Sequence, residues 1–251
     1  MNLNSDKPES QTNRNSVKLL ASSSIVSFWT FVSRLLGLVR DIVFTSLLGA
    51  GVALDAYVVI TKIPNVFRRI FAEGAFNQAF VPVLSEYKEG SDESEVRVLI
   101  NNIFGLLSSS LLLITLIVLL LTPIFVFIFA PGFYSEPIKN ELATDILRIT
   151  FPYLFFVSLV ALSGSIMNTY GKFSIPALTP VFYNLILVCT AIWIAPLYEV
   201  PIYAIAWGMF VAGCIQLLIQ IYPLIKLKLL PNFSLNLNHP GVKKVLYLMI
   251  P

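Results

Sequence analysis

The chain has 251 residues, of which 57% are hydrophobic and only 12% charged, with a mean hydropathy of +0.80 and a formal net charge of +3. Soluble domains carry about 25% charge, so this composition excludes an ordinary soluble fold and indicates an all-α polytopic membrane protein. It offers no basic stripe for nucleic acid, and Cys189 and Cys214 both lie in apolar runs that suit buried thiols better than a disulfide.

Residues 1–17, "MNLNSDKPESQTNRNSV", are polar and without apolar period, and read as a disordered cytoplasmic tail. The following run holds Arg34, Arg40 and Asp41 and no small-residue cleavage site, which argues against a signal peptide. The lobe at 18–230 contains six spans, at about 18–48, 54–83, 97–129, 142–168, 176–196 and 201–227. Short turns separate them, including Gly49-Ala50-Gly51, where Gly49 and Gly51 suit a hinge. The charged loop "SEYKEGSDESE" at 85–95 is aqueous. Residues 231–251 form a loop and the opening turns of a seventh helix, so the chain reads as the N-terminal portion of a longer protein.

Lys and Arg in the connections set the orientation. With the tail inside, the inner segments carry ten cations and the outer ones only Lys139, which places the N-terminus in the cytoplasm.

Five cations remain in the first two spans: Arg34, Arg40, Lys62, Arg68 and Arg69. An Arg or Lys at a helix centre costs about 2.5–3.5 kcal/mol in lipid, so such residues should face the protein interior or water. At 100° per residue, Ser23, Ser27, Thr30, Arg34, Gly37, Asp41 and Thr45 form one stripe of the first helix. Asp55, Lys62, Asn65, Arg69, Glu73 and Asn77 form another on the second, with Ile60, Phe67 and Phe71 opposite. The simplest arrangement has both stripes lining one polar space. Arg40 and Arg68 lie off the stripes with no acid three or four residues away, whereas Arg69 has Glu73 at i+4. This assigns Arg40 and Arg68 to an anionic ligand and Arg69 with Glu73 to structure. Read instead as interhelical ion pairs, the five cations meet only Asp41, Asp55 and Glu73, an excess of two. A positive cavity of that kind suits a phosphate. Pro64 removes a backbone bond to Ile60 and should bend the second span beside this cluster.

One histidine, His239, cannot make a metal site, and no P-loop, paired-Asp or Ser/His/Asp grouping occurs. An enzyme is therefore the weakest reading, and no cofactor is expected.

The stretches "SRLLGLVRD" (33–41), "LDAYVVITKIPNVFRRIFAEGAFNQAFVPVLSEY" (54–87) and "ITFPYLFFVSLVALSGSIMNTYGKFSIPALTPVFYN" (149–184) closely resemble the MurJ (MviN) lipid II flippase family of the MOP superfamily. The resemblance implies a two-lobe transporter of fourteen helices around a cationic cavity, of which this chain is the first lobe. It implies a bacterial inner-membrane protein that moves lipid II between leaflets by alternating access for cell-wall synthesis, with cell-wall or division proteins as further partners. It implies that Arg34, Arg40 and Arg68 meet the substrate, and that Asp55 and Asn65 fall at family positions. Any sodium site or use of the membrane potential would lie outside what this portion displays. A flippase for another polyprenyl-linked glycan, or a membrane scaffold for cell-wall enzymes, are the competing readings.

Overall fold

The computed structural model describes residues 7–49, 51–69 and 75–249, with side chains from residue 23 onward and none at Ala75. Glu73 and Phe71, both singled out in the sequence, lie outside the described residues, and so does any Arg69–Glu73 pairing. Among the described residues the chain is helical and has no strand.

Helix α1 runs Lys7–Leu48 and begins eleven residues before the apolar run, inside the segment read as tail. Lys, Glu, Gln and Arg at its start are adequate helix formers, so a helix set up by the apolar run can extend through them. Gly49 ends it with φ +63, a left-handed conformation that suits glycine, and its N–H bonds to the Thr45 carbonyl at 3.0 Å.

The second span is broken. Helix α2 covers Val52–Ile60 and α3 covers Lys62–Arg68, with Thr61 between them. The Pro64 ring conflicts with the carbonyl four residues back, at Ile60, and α2 stops at that residue. Helix α4, Ala75–Gly90, completes the arm. The third span is α5 (Glu93–Leu120) followed by α6 (Thr122–Phe129), interrupted just before Pro123. The fourth is α7 (Pro137–Thr150) and α8 (Tyr153–Thr169), which meet at Pro152. The fifth, α9 (Ser174–Cys189), continues through a π-turn to Ile194, and the sixth is α10 (Pro201–Lys226). Helix α11, Pro240–Leu248, follows an extended segment and is capped by His239, whose Nδ1 accepts the Gly241 N–H at 3.2 Å.

Four of these stretches are long and apolar enough to cross a bilayer: Glu93–Leu120, Pro137–Thr169, Ser174–Leu197 and Pro201–Lys226. Among the described residues the first two of the six spans do not meet that length and hydropathy, and residues 70–74 of the second lie outside them. Arg34, Arg40, Asp41 and several serines dilute α1, and none of α2, α3 and α4 reaches bilayer length by itself.

The bundle is inverted relative to a soluble one. Leu112, Leu116, Leu120, Ile124 and Ile128 on α5 and α6 are exposed, a contiguous apolar face that suits lipid. The main core includes Phe80, Leu99, Ile103, Ile146, Phe151 and Leu154, all at 1% exposure or less. Phe67 joins it edge-on to Phe151 at 5.5 Å, as expected for the apolar side of the second span. A smaller core of Phe44, Leu187, Ala204, Ile205 and Met209 ties α1 to α9 and α10.

Candidate functional site

Arg40 leaves α1 toward α9, the helix on which α1 chiefly packs. Its Nε and Nη2 donate to Asp41 Oδ1 at 3.0 and 2.7 Å, and its Nη1 donates to Asn184 Oδ1 at 2.9 Å. Asn184 Nδ2 in turn donates to the Ser33 carbonyl at 3.0 Å and to Ser33 Oγ at 3.3 Å. Arg40 thus has an acidic partner in the adjacent Asp41, although no acid stands three or four residues away. Neighbouring residues on a helix do not normally face each other, but the long arginine stem curls back to Asp41. Arg68 Nε donates to Asn65 Oδ1 at 3.3 Å, one turn back.

Arg40 and Arg68 face one cavity of about 560 Å³. Tyr57, Thr61 and Asn65 line it from the broken second span, and Asn77 from α4. Ser165 and Asn168 on α8 line it too, and the Ser165 hydroxyl donates to Asn77 Oδ1 at 2.6 Å. Thr179 and Tyr183 on α9 and Gln216 and Gln220 on α10 close the remaining wall.

Of the residues singled out in the sequence, the structure brings Arg40, Asn65, Arg68 and Asn77 to this cavity. Arg34, Asp41, Asp55, Lys62 and Arg69 are exposed and do not line it. The picture of two facing stripes is corrected. Apart from Gly37, which lies against Asn184, the described members of the α1 stripe are exposed, because α1 packs on α9 through the side that carries Arg40. Pro64 is buried beside Ile63, at the foot of the break. The sequence reading missed the α8, α9 and α10 contributions. Asn168, Thr179, Asn184, Gln216 and Gln220 are neutral, so no charge marks them. The available signal was their presence inside otherwise apolar spans, where each polar side chain needs a partner.

Among the described residues no group of three or more His, Cys, Asp or Glu is placed to hold a metal, and Cys189 and Cys214 are free thiols. What the arrangement can do is bind. Two guanidiniums, each steadied by an amide oxygen, and a ring of neutral hydrogen-bonding groups enclose a volume that fits a polar, anionic head group.

The fold and site together define a multi-pass helical membrane protein with a cation-bearing internal cavity. The comparisons give the family. The family model described as "Lipid II flippase MurJ" matches residues 44–251. The chain is 43% identical over 243 residues to a protein of Vibrio cholerae described as "Probable lipid II flippase MurJ", covering 94% of this chain and 46% of the relative. It is 39% identical over 230 residues to the "Lipid II flippase MurJ" of Burkholderia cenocepacia, covering 90% and 45%. A solved structure, "Lipid II flippase MurJ, inward closed conformation", superposes with a TM-score of 0.72 at 28% identity, over 90% of this chain and 46% of that one. The chain belongs to the MurJ lipid II flippase family, a family of transporters. It spans somewhat less than half the length of the relatives it matches.

Proposed function

We propose that the protein carrying this chain moves lipid II, the undecaprenyl-pyrophosphate-linked peptidoglycan precursor, from the cytoplasmic to the periplasmic leaflet of the bacterial inner membrane. The observation that carries the reading is the convergence of Arg40 and Arg68 on one polar cavity inside an apolar bundle. Guanidinium groups match phosphate oxygens in a bidentate fork, and a pyrophosphate supplies the negative charge this wall attracts. Asn65 and Asn184 each hold one of the two side chains through a neutral amide oxygen, and Asp41 lies against Arg40.

In this reading the cavity admits the head group while the lipid tail stays in the bilayer, and transport proceeds by alternating access. Arg34, exposed on α1 and outside the cavity lining, is the third arginine assigned to the ligand. Lys62, Asp55 and Arg69, with Glu73, serve as structural charges. The break at Thr61 above Pro64, and the connection between Gly49 and Gly51, supply the bends. The six spans and the opening of a seventh run from a cytoplasmic N-terminus, as the excess of inner cations requires.

The test uses cells depleted of their own flippase and the whole protein carrying this chain. Lipid II reaching the outer face is measured for wild type, Arg40→Ala and Arg68→Ala at matched membrane abundance. Wild type should restore exposure and both variants should lose it. Full activity in both variants would show that these charges serve packing alone.

A further inference from the structure

The α10 wall of the cavity carries two amide carbonyls for which the protein has no use. Gln216 and Gln220 are 4% and 1% exposed and stand one turn apart on the same face of α10, toward the cavity. Gln216 Nε2 donates to the Thr179 carbonyl at 3.1 Å, and Gln220 Nε2 donates to Thr179 Oγ1 at 3.1 Å. Both Oε1 atoms are buried with no hydrogen-bond partner among the described residues.

The orientation of the two amides follows from their partners. A backbone carbonyl only accepts, so the Thr179 carbonyl requires the nitrogen of Gln216. The Thr179 hydroxyl spends its single proton on the Ile175 carbonyl at 2.9 Å, so toward Gln220 it also accepts and takes the nitrogen. Gln216 cannot turn round without placing oxygen against oxygen, and the same holds for Gln220 as long as the Thr179 hydroxyl donates to Ile175. Thr179 therefore fixes both Oε1 atoms away from itself, as acceptors only. Leaving buried acceptors unsatisfied is unfavourable, and these two belong to residues one turn apart that line one cavity.

The ligand such a pair takes is uncharged and rich in N–H or O–H. An anion is excluded, because carbonyl oxygens repel it, and a cation is disfavoured by Arg40 and Arg68 in the same cavity. Thr179 lies five residues before Asn184 on α9, about 7.5 Å along the helix axis at 1.5 Å per residue, so the amide pair is set off from the Arg40 contact by more than a turn. We infer that Gln216 and Gln220 are specificity residues that accept hydrogen bonds from hydroxyl or N-acetyl N–H groups of the glycan attached to the pyrophosphate. This rests on the flippase reading above, and adds that the N-terminal bundle reads the sugar as well as the phosphate.

The experiment measures the affinity of the purified whole protein for two probes, a polyprenyl pyrophosphate bearing its glycan and the same lipid without it. Wild type should prefer the glycan-bearing probe. The Gln216→Met/Gln220→Met double variant, which keeps side-chain length and removes both acceptors, should lose roughly 5- to 100-fold in affinity for that probe. Its affinity for the bare pyrophosphate should stay within about twofold, which also shows that the variant is folded. Unchanged affinity for the glycan-bearing lipid in the double variant would overturn the inference and assign the two carbonyls to water. An equal loss for both probes would overturn it as well. If the double variant does not fold, wild type still decides, since no preference between the probes removes the basis for a glycan site. Failure of wild type to bind either lipid is a separate result that sinks the flippase reading itself.

Discussion

Asn184 is the residue through which α9 holds the cavity arginine. Its Oδ1 accepts from Arg40 and its Nδ2 donates to Ser33, so one buried side chain, 7% exposed, joins α1 to α9 at two points. Replacing it with leucine keeps the volume and removes both bonds. A hydrogen bond to a charged group contributes about 1.5–3 kcal/mol and a neutral one about 0.5–1.5. Arg40 keeps Asp41, and its side chain is 23% exposed, so part of the loss is recovered by hydration. The expected cost is about 1–3 kcal/mol in stability. Freed from Asn184, Arg40 should also hold the pyrophosphate less well, with a loss of roughly tenfold in affinity, or about 1.4 kcal/mol. Asn184→Asp separates the two effects. It keeps the acceptor for Arg40 and loses the donor to Ser33, while its new charge competes with the ligand for the guanidinium. Affinity should therefore fall in this variant even if stability is retained. The assay is thermal unfolding of the purified protein together with its affinity for a polyprenyl pyrophosphate. Wild-type stability and wild-type affinity in Asn184→Leu together would refute the claim that this amide positions Arg40.

Gly208→Ala places a Cβ 2.8 Å from both Thr190 Oγ1 and Cγ2 and 3.0 Å from its Cβ. A β-branched side chain cannot easily turn aside, so α10 should be forced off the end of α9 at about 1–3 kcal/mol, read as a lower unfolding temperature. Phe151→Ala empties a fully buried site in the main core, next to Phe67, and should cost about 3–5 kcal/mol. Its measurable consequence is loss of folded protein from detergent extracts. By contrast, Lys244→Ala removes an exposed ion pair between α11 and Glu86 and should shift stability by less than about 1 kcal/mol, an effect that fades further in high salt.

The helical class and the position of most connections were legible because lipid imposes long apolar runs punctuated by Gly and Pro. Within those runs the sequence pattern could not say where a helix breaks. Thr61 and Leu121 interrupt spans that look continuous in hydropathy, and each break stands next to a proline, Pro64 or Pro123, whose effect depends on whether neighbours can satisfy the freed backbone groups. The start of α1 at Lys7 is hidden for the opposite reason, since polar helix formers beyond an apolar run leave no hydropathy trace. Which side of α1 faces the bundle is equally hidden. A helical wheel ranks faces by polarity alone, and on that basis it favours the stripe with Arg34. The structure instead turns Arg40 inward, because α9 presents Asn184 to receive it.

Charge makes half of the site visible and neutrality conceals the other half. An arginine inside a span is costly enough that its presence demands a reason. That cost flags five cations in the first two spans, and position off the polar stripes with no acid one turn away then picks Arg40 and Arg68. Asn, Gln and Thr cost less in the same position, because one good hydrogen bond satisfies most of what burial removes. A single such residue is consistent with packing, and Thr179 looks like one, with its hydroxyl bonded to Ile175. Only the meeting of α9 and α10 shows that Thr179 is a bracket for two glutamines, and that their carbonyls are left over. The polar groups that hold a ligand in a membrane bundle are those whose partners inside the protein do not exhaust them. On that criterion, applied to residues that line the cavity, the proposed site takes in the α10 wall as well as the arginines.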